Sequence, residues 1–281
     1  MKNGITVIVL TLNEESNISY CLKNVIGWAN EIIILDSHST DSTVAVAESL
    51  GAKVYFRIFD NYAKQRNYAI NELPIANNWI LFLDADEWLT EELKEEIHNT
   101  IAETNYDGFL IKRRFYFFGK WIKYGGYYPS WNLRLFRKGI AKVSREINEH
   151  VEIKGRVGKL KYDMVDENHK GLSFWLSKHI QYAQLEAQQF STLNDLKIKF
   201  WGNPVERKNW IRHKIWNKIM PPIVRPFIYF FYTYFVRFGF LDGRVGFIFH
   251  FLHDLWFIFL IDVYFVINRI EKKRGIDANN S

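Results

Sequence analysis

Trp79-Ile80-Leu81-Phe82-Leu83-Asp84-Ala85-Asp86-Glu87 carries five apolar residues straight into a string that holds three carboxylates. The apolar run is short and unbroken, the pattern of a strand buried on both faces, and the acids fall where that strand ends. Two upstream stretches repeat the arrangement. Ile5-Thr6-Val7-Ile8-Val9-Leu10 leads into Thr11-Leu12-Asn13-Glu14-Glu15, and Glu31-Ile32-Ile33-Ile34-Leu35 leads into Asp36-Ser37. Open parallel sheets bind ligands beyond the carboxyl ends of their strands, so three strands ending in polar or acidic residues predict one ligand site there.

Between these strands the spacing turns helical. Ile18, Cys21, Leu22, Val25 and Ile26 fall on one helix face, and Ser39-Thr40-Asp41 supplies N-cap chemistry for a helix carrying Val44, Ala47 and Leu50 and closed by Gly51. A short strand over 53–56 and a helix over 62–73 complete half of a doubly wound α/β sheet. Residues 107–168 read as β-rich and irregular, with strands at 107–118 and 133–137. A long helix over 173–200 sets Leu176, Ile180, Ala183, Ala187 and Phe190 on one face.

The 281 residues are 48% apolar with Gly and Pro sparse, which allows a large core and excludes a disordered chain. Cys21 is the only cysteine, so no intramolecular disulfide can form and a cysteine-based metal site is excluded. A reducing compartment fits. The run 5–12 is short for a signal sequence, has no small-residue cleavage site and reads better as a buried strand. The net charge of +6 is carried by residues 201–281, which hold 12 Lys/Arg against 6 Asp/Glu together with 20 of the 48 aromatic residues. Basic charge among long apolar and aromatic runs favours an anionic membrane surface over nucleic acid. Residues 222–241 and 244–268 approach the length of a bilayer span. Arg225 and Arg237 interrupt the first, and His250, His253, Asp254 and Asp262 the second. Two interfacial or re-entrant helices are therefore expected, with Arg207, Lys208, Arg212, Lys214 and Lys218 turned to the headgroups.

A carboxylate at a rigid strand end suits a divalent metal and the phosphates bound to it. If Asp84-Ala85-Asp86 is extended, both carboxylates point the same way, one to reach a ribose and one to hold Mg²⁺ or Mn²⁺. An exposed acidic turn opening a helix at Thr90 accounts for the same string, and on these residues alone the two readings weigh about evenly. Asp36 either accepts from a nucleobase imide or caps the turn before Ser37 and Ser39. Arg66, in Lys64-Gln65-Arg66-Asn67, either lies over a base or diphosphate or sits on a solvated helix face.

Thr11-Leu12-Asn13-Glu14-Glu15, Asp36-Ser37-His38-Ser39-Thr40-Asp41-Ser42-Thr43, Gln65-Arg66-Asn67-Tyr68-Ala69 and Phe82-Leu83-Asp84-Ala85-Asp86-Glu87, taken in order and spacing, resemble glycosyltransferase family 2. These are inverting enzymes on the GT-A fold, an α/β nucleotide-sugar-binding domain with a mostly parallel central sheet. Tyr124-Gly125-Gly126-Tyr127-Tyr128-Pro129, Leu133-Arg134-Leu135-Phe136-Arg137, Asn148-Glu149-His150-Val151 and Lys170-Gly171-Leu172 extend the resemblance to lipopolysaccharide-core glucosyltransferases and related envelope-polysaccharide enzymes. The resemblance implies that Thr11, Glu14, Asp36 and Arg66 hold the nucleoside of a nucleotide-sugar, with a UDP-sugar as the family-level donor. It also implies that Asp84 holds the ribose and Asp86 the metal. Inverting transfer needs a carboxylate to take the acceptor proton. Glu149 matches the acid of the subgroup's His-Glu-like motif, with Asn148 in place of the His; Glu152 is its rival, and His150 or His169 takes the orienting role. Asp166-Glu167-Asn168 also departs from the subgroup's His-Glu-Asp pattern.

The expected organisation is a catalytic domain over 1–200 and a basic, aromatic-rich helical membrane-association region over 201–281. The expected activity is metal-dependent hexosyl transfer to a lipid-linked or lipopolysaccharide acceptor on the cytoplasmic side of the inner membrane, with no nucleic-acid partner. A sugar-1-phosphate nucleotidylyltransferase would need a Gly-rich, Arg-containing loop after the first strand, which is absent. A non-catalytic scaffold on a degenerate domain is the remaining alternative, and the set Asp36, Arg66, Asp84, Asp86 and Glu149 argues against it.

Overall fold

The computed structural model describes residues 4–143, 151–192 and 221–274. The chain divides into two compact units, Met1–Trp121 with Tyr127–His169, and Ile122–Gly126 with Lys170–Ser281.

The first unit is a GT-A-like α/β fold around a nine-stranded sheet. Strands β1 (Ile5–Thr11), β2 (Glu31–Asp36), β3 (Lys53–Phe56) and β4 (Trp79–Asp84) run parallel in the order β3-β2-β1-β4. Helices α1 (Glu15–Val25), α2 (Thr43–Ser49) and α3 (Tyr62–Asn71) connect them, as the alternating pattern predicts. Thr11 pairs with Asp36 and Leu10 with Asp84, so the three strands finish level. Their residues alternate between two layers. Val7, Val9, Leu81 and Leu83 pack with Ile18, Leu22 and Val25 of α1, while Ile8, Ile80 and Phe82 pack with Ala69 and Ile70 of α3. Burial on both faces explains why these strands are apolar throughout.

Beyond β4 the sheet changes character. β5 (Glu87–Leu89) follows a two-residue turn, and α4 (Glu91–Glu103) is capped by Thr90, whose hydroxyl accepts from Leu93 N at 3.3 Å. β6 (Gly108–Phe117), β8 (Ser130–Arg137) and β11 (Val157–Glu167) extend the sheet past β4. β8 is antiparallel to β4 and β6, β11 parallel to β6, and β5 antiparallel to β11 at the far edge. β7 (Lys120–Trp121) folds back on β6, and β9 (Ala141–Val143) pairs with β10 (Val151–Ile153) in a separate ribbon.

The second unit begins with α5 (Gly171–Thr192); the expected continuation over 193–200 lies outside the described residues. α6 (Arg225–Phe231) runs into a π-helical segment at Tyr232–Val236, a 3₁₀ turn at Gly239–Asp242, and then α7 (Gly243–His250), a π segment at Phe251–Phe257 and α8 (Ile258–Lys273). The stretch Leu241-Asp242-Gly243-Arg244 between the two apolar runs thus holds the end of the 3₁₀ turn and the start of α7. Gly239–Lys272 is long and apolar enough to cross a membrane by length and composition, at a mean hydropathy of 1.6. Most of the polar residues that interrupt the apolar runs point inward. Arg225 pairs with Asp262, Asp254 accepts from Thr233 at 2.7 Å and bonds His250 at 2.6 Å, and all five are buried. Asp242 accepts from the backbone N–H groups of Lys123 and Tyr124 at 3.2 and 3.0 Å, while Arg237 O accepts from Gly125 N at 3.0 Å. These bonds draw the short segment 122–126 into this unit. Gly125, at φ +71°, lies flat against His250, whose Cε1 would stand 2.1 Å from an added Cβ.

Candidate functional site at the strand ends

The ends of β1 and β2 are tied through one carboxylate. Asp36 is fully buried and accepts from Thr11 Oγ1 at 2.6 Å, Ser39 N at 2.7 Å and Ser39 Oγ at 2.6 Å. A carboxylate offers about four lone-pair positions, so these bonds leave about one for a ligand. Asn13 and His38, just past the two strands, have φ of 55° and 63°, a left-handed backbone that non-glycine residues rarely take outside turns and functional loops. Asn13 Oδ1 accepts from Thr40 N at 2.8 Å and Thr43 Oγ1 from Glu14 N at 2.7 Å, so the two loops hold each other. The Glu14 carboxylate accepts from Asn17 Nδ2 at 2.8 Å, in the first turn of α1.

The end of β4 is an ion-pair cluster. Asp84 receives Arg66 at 2.8 Å and Arg134, from β8, at 2.6 Å. Burial works against its charge, but the two guanidiniums outweigh it and hold Asp84 well below the usual carboxylate range. Arg134 also reaches Glu87 at 2.6 Å, and Glu87 in turn accepts from Asp84 N at 2.9 Å. Glu87 is fully buried, and that burial, with Asp84 and Asp166 nearby, pushes it up to about 8. Asp84-Ala85-Asp86 is not extended. Ala85 and Asp86 form the turn into β5, so Asp84 meets the arginines while Asp86, half-buried, accepts from Asn168 Nδ2 at 2.8 Å. Asp166 pairs with Arg113 at 2.8 Å, and burial followed by the neighbouring Asp86 pushes it up to about 7.

The sequence-predicted residues Thr11, Glu14, Asp36, Arg66, Asp84 and Asp86 thus lie along the ends of three adjacent strands and the elements that flank them. Arg66 is committed to Asp84 and lies over the Phe82 ring at 5.6 Å, and its neighbour Gln65 donates to Ser37 Oγ at 2.9 Å, so α3 spans from β2 to β4. Glu149 and His150 lie outside the described residues. Glu152 is exposed on β10, opposite Lys142 of β9. His169 stacks with Trp88 and meets Tyr20 at a tilt of 33°, with its backbone N–H bonded to Asn17 Oδ1 at 2.8 Å. Sequence reasoning missed Arg113, Arg134, Glu87 and Asp166. The signal for Arg134 was available: a guanidinium alternating with buried residues in Leu133-Arg134-Leu135-Phe136 must have an acid to face.

An uncharacterized glycosyltransferase of Rickettsia bellii is 42% identical to this chain over 106 residues, covering 38% of this chain and 35% of that protein. The lipopolysaccharide core biosynthesis glycosyltransferase LpsC of Rhizobium meliloti is 29% identical over 170 residues, covering 56% of this chain and 60% of its own length. The chain therefore spans from about a third to less than two thirds of these relatives. Among solved structures, S. aureus TarS 1–349 in complex with UDP-GlcNAc is similar at 17% identity and a TM-score of 0.49, covering 97% of this chain and 92% of that one. The profile of glycosyl transferase family 2 matches residues 6–158, more than half of the sequence and nearly all of the unit that holds the strand-end cluster, and the chain belongs to that family.

Proposed function

We propose that the chain is an inverting hexosyltransferase that moves a sugar from a UDP-sugar to a lipid-linked or lipopolysaccharide/polysaccharide acceptor at the cytoplasmic side of the inner membrane. The observation that carries this reading is the level finish of β1, β2 and β4, which brings Thr11, Asp36 and Asp84 to one edge with Asp86 just beyond. On this reading Thr11, Glu14, Asp36 and Arg66 bind the nucleoside, Asp84 orients the ribose and Asp86 holds a divalent metal. Glu149 takes the proton from the acceptor hydroxyl as its oxygen attacks the anomeric carbon, and the nucleoside diphosphate departs from the opposite face. Residues 1–200 form the catalytic domain and 201–281 the membrane-association region. The lipopolysaccharide role of LpsC, together with the apolar segment 239–272, supports the envelope acceptor and the membrane location.

The donor set fits Mg²⁺ or Mn²⁺. Asp84, Glu87 and Asp166 each pair with a guanidinium, from Arg66, Arg113 or Arg134, whereas Asp86 accepts from the neutral amide of Asn168. Carboxylate oxygens suit these hard cations. Among the described residues no group of three His, Cys, Asp or Glu side chains is placed to hold a metal ion, so on this reading Asp86 would hold it. Held by Asp86, such an ion would supply positive charge to offset that of the departing diphosphate. The test is thermal melting of the full chain with UDP-sugars, with and without Mg²⁺ or Mn²⁺, followed by a transfer assay. Stabilisation that requires the metal and vanishes in Asp86→Ala, together with lost transfer, is expected. Near-normal turnover by Asp86→Ala overturns the metal assignment. Asp84→Asn should raise the donor Kd more than it lowers the maximal rate.

A further inference from the structure

In the second unit, polarity is turned inside out. Asp254, Asp262, His250, Thr233 and Arg225 are buried and paired with one another. Outside, fourteen large apolar side chains between Ile223 and Phe251 are exposed, against two in residues 252–274. Phe227, Phe231, Phe235, Phe238, Phe247 and Phe251 are among them, with Phe231 58% exposed. Ring contacts across the turn, Phe230 to Phe247 at 6.4 Å and Tyr234 to Phe240 at 6.3 Å, join the two arms of this stretch. Its exposed charges are cationic, Arg237 and Arg244, and its one acid, Asp242, is buried on the 122–126 segment. Water rewards the opposite arrangement. Paired polar groups inside and bare phenylalanines outside are what a hydrocarbon solvent selects, and arginines at the margin of such a face reach lipid phosphates.

We propose that residues 223–251 are immersed in one leaflet of an anionic bilayer, their rings among the acyl chains and Arg237 and Arg244 at the phosphate level. This rests on the membrane location proposed above and selects insertion into the hydrocarbon over adsorption on headgroups. The test uses the full chain with Cys21, which is buried, replaced by Ala, and one spin-labelled cysteine in turn at 231, 235, 248 and 251. The vesicles are phosphatidylcholine with or without phosphatidylglycerol. Flotation with the anionic vesicles that resists high salt is expected, with oxygen colliding with all four labels several-fold more often than a water-soluble nickel chelate. A lipid-phase photoreactive probe on the unaltered chain should place its adducts within 223–251, which tests the same point without substitutions. Vesicle-bound protein whose labels are open to nickel, or whose adducts fall elsewhere, overturns insertion and leaves surface association standing. Labels shielded without lipid, in a particle of twice the chain mass, make a second copy the occupant and overturn the proposal. Failure to float at all removes the membrane reading and this inference with it.

Discussion

Arg134 is the side chain on which both acids at the end of β4 depend. It lies between Asp84 and Glu87, each 2.6 Å away, and only 8% of its side chain is exposed. Arg134→Met removes the cation and leaves the acids facing each other, so a loss of about 3–5 kcal/mol is expected in denaturant melts. Glu87→Gln should cost far less at neutral pH, because burial already keeps Glu87 protonated up to about 8. The sign follows from proton uptake. Between the ordinary value of 4.5 and about 8 the folded state holds a proton that the unfolded state has lost, so this residue's contribution to stability declines as pH rises through that window. Glu87→Gln should remove that part of the decline in Tm. For the chemistry, Glu149→Gln should leave nucleotide affinity within a few-fold while transfer falls about 10²–10⁴-fold, the usual share of a general base. Active Glu149→Gln together with dead Glu152→Gln would instead identify Glu152 as the base.

Strands, rather than single residues, set where these groups meet. Glu31 at the start of β2 fastens the sheet by accepting from Thr6 of β1 at 2.8 Å, Lys53 of β3 at 2.7 Å and Ala76 N at 3.0 Å. Burial opposes its charge, but these bonds prevail and lower it below its ordinary 4.5. Its contribution is therefore complete above that value and lost as pH falls through the lowered one. Glu31→Gln should lower Tm at pH 7, with the gap to the unaltered protein closing below about pH 4. The parallel half was legible because continuous apolar runs with capped helices between them admit little else. β5 and β11 were not. Glu87-Trp88-Leu89 is too short to show a period, and Lys159, Lys161, Asp163 and Asp166 give β11 a polar texture that becomes intelligible once Asp163 meets Lys112 and Arg114, and Asp166 meets Arg113.

At the scale of the molecule, the donor-site motifs precede residue 170 and the apolar arms follow residue 220, yet backbone N–H groups of the segment 122–126 donate to Arg237 O and to the Asp242 carboxylate. Ending the chain at 204 should therefore abolish flotation and keep metal-dependent nucleotide binding, while lowering Tm, because three backbone N–H groups lose their acceptors. Loss of nucleotide binding in that truncated protein would refute separable functions. The sequence by itself determined the fold class, the three acidic strand ends and the basic, aromatic tail, since each is written in local spacing and composition. Only the tertiary structure decided that Asp84-Ala85-Asp86 divides at a turn, that Arg134 and Asp166 complete the cluster, and that the charges within the apolar arms are turned inward. Those outcomes depend on partners 18 to 82 residues away, and pairing at that distance leaves no periodicity for a local reading to detect.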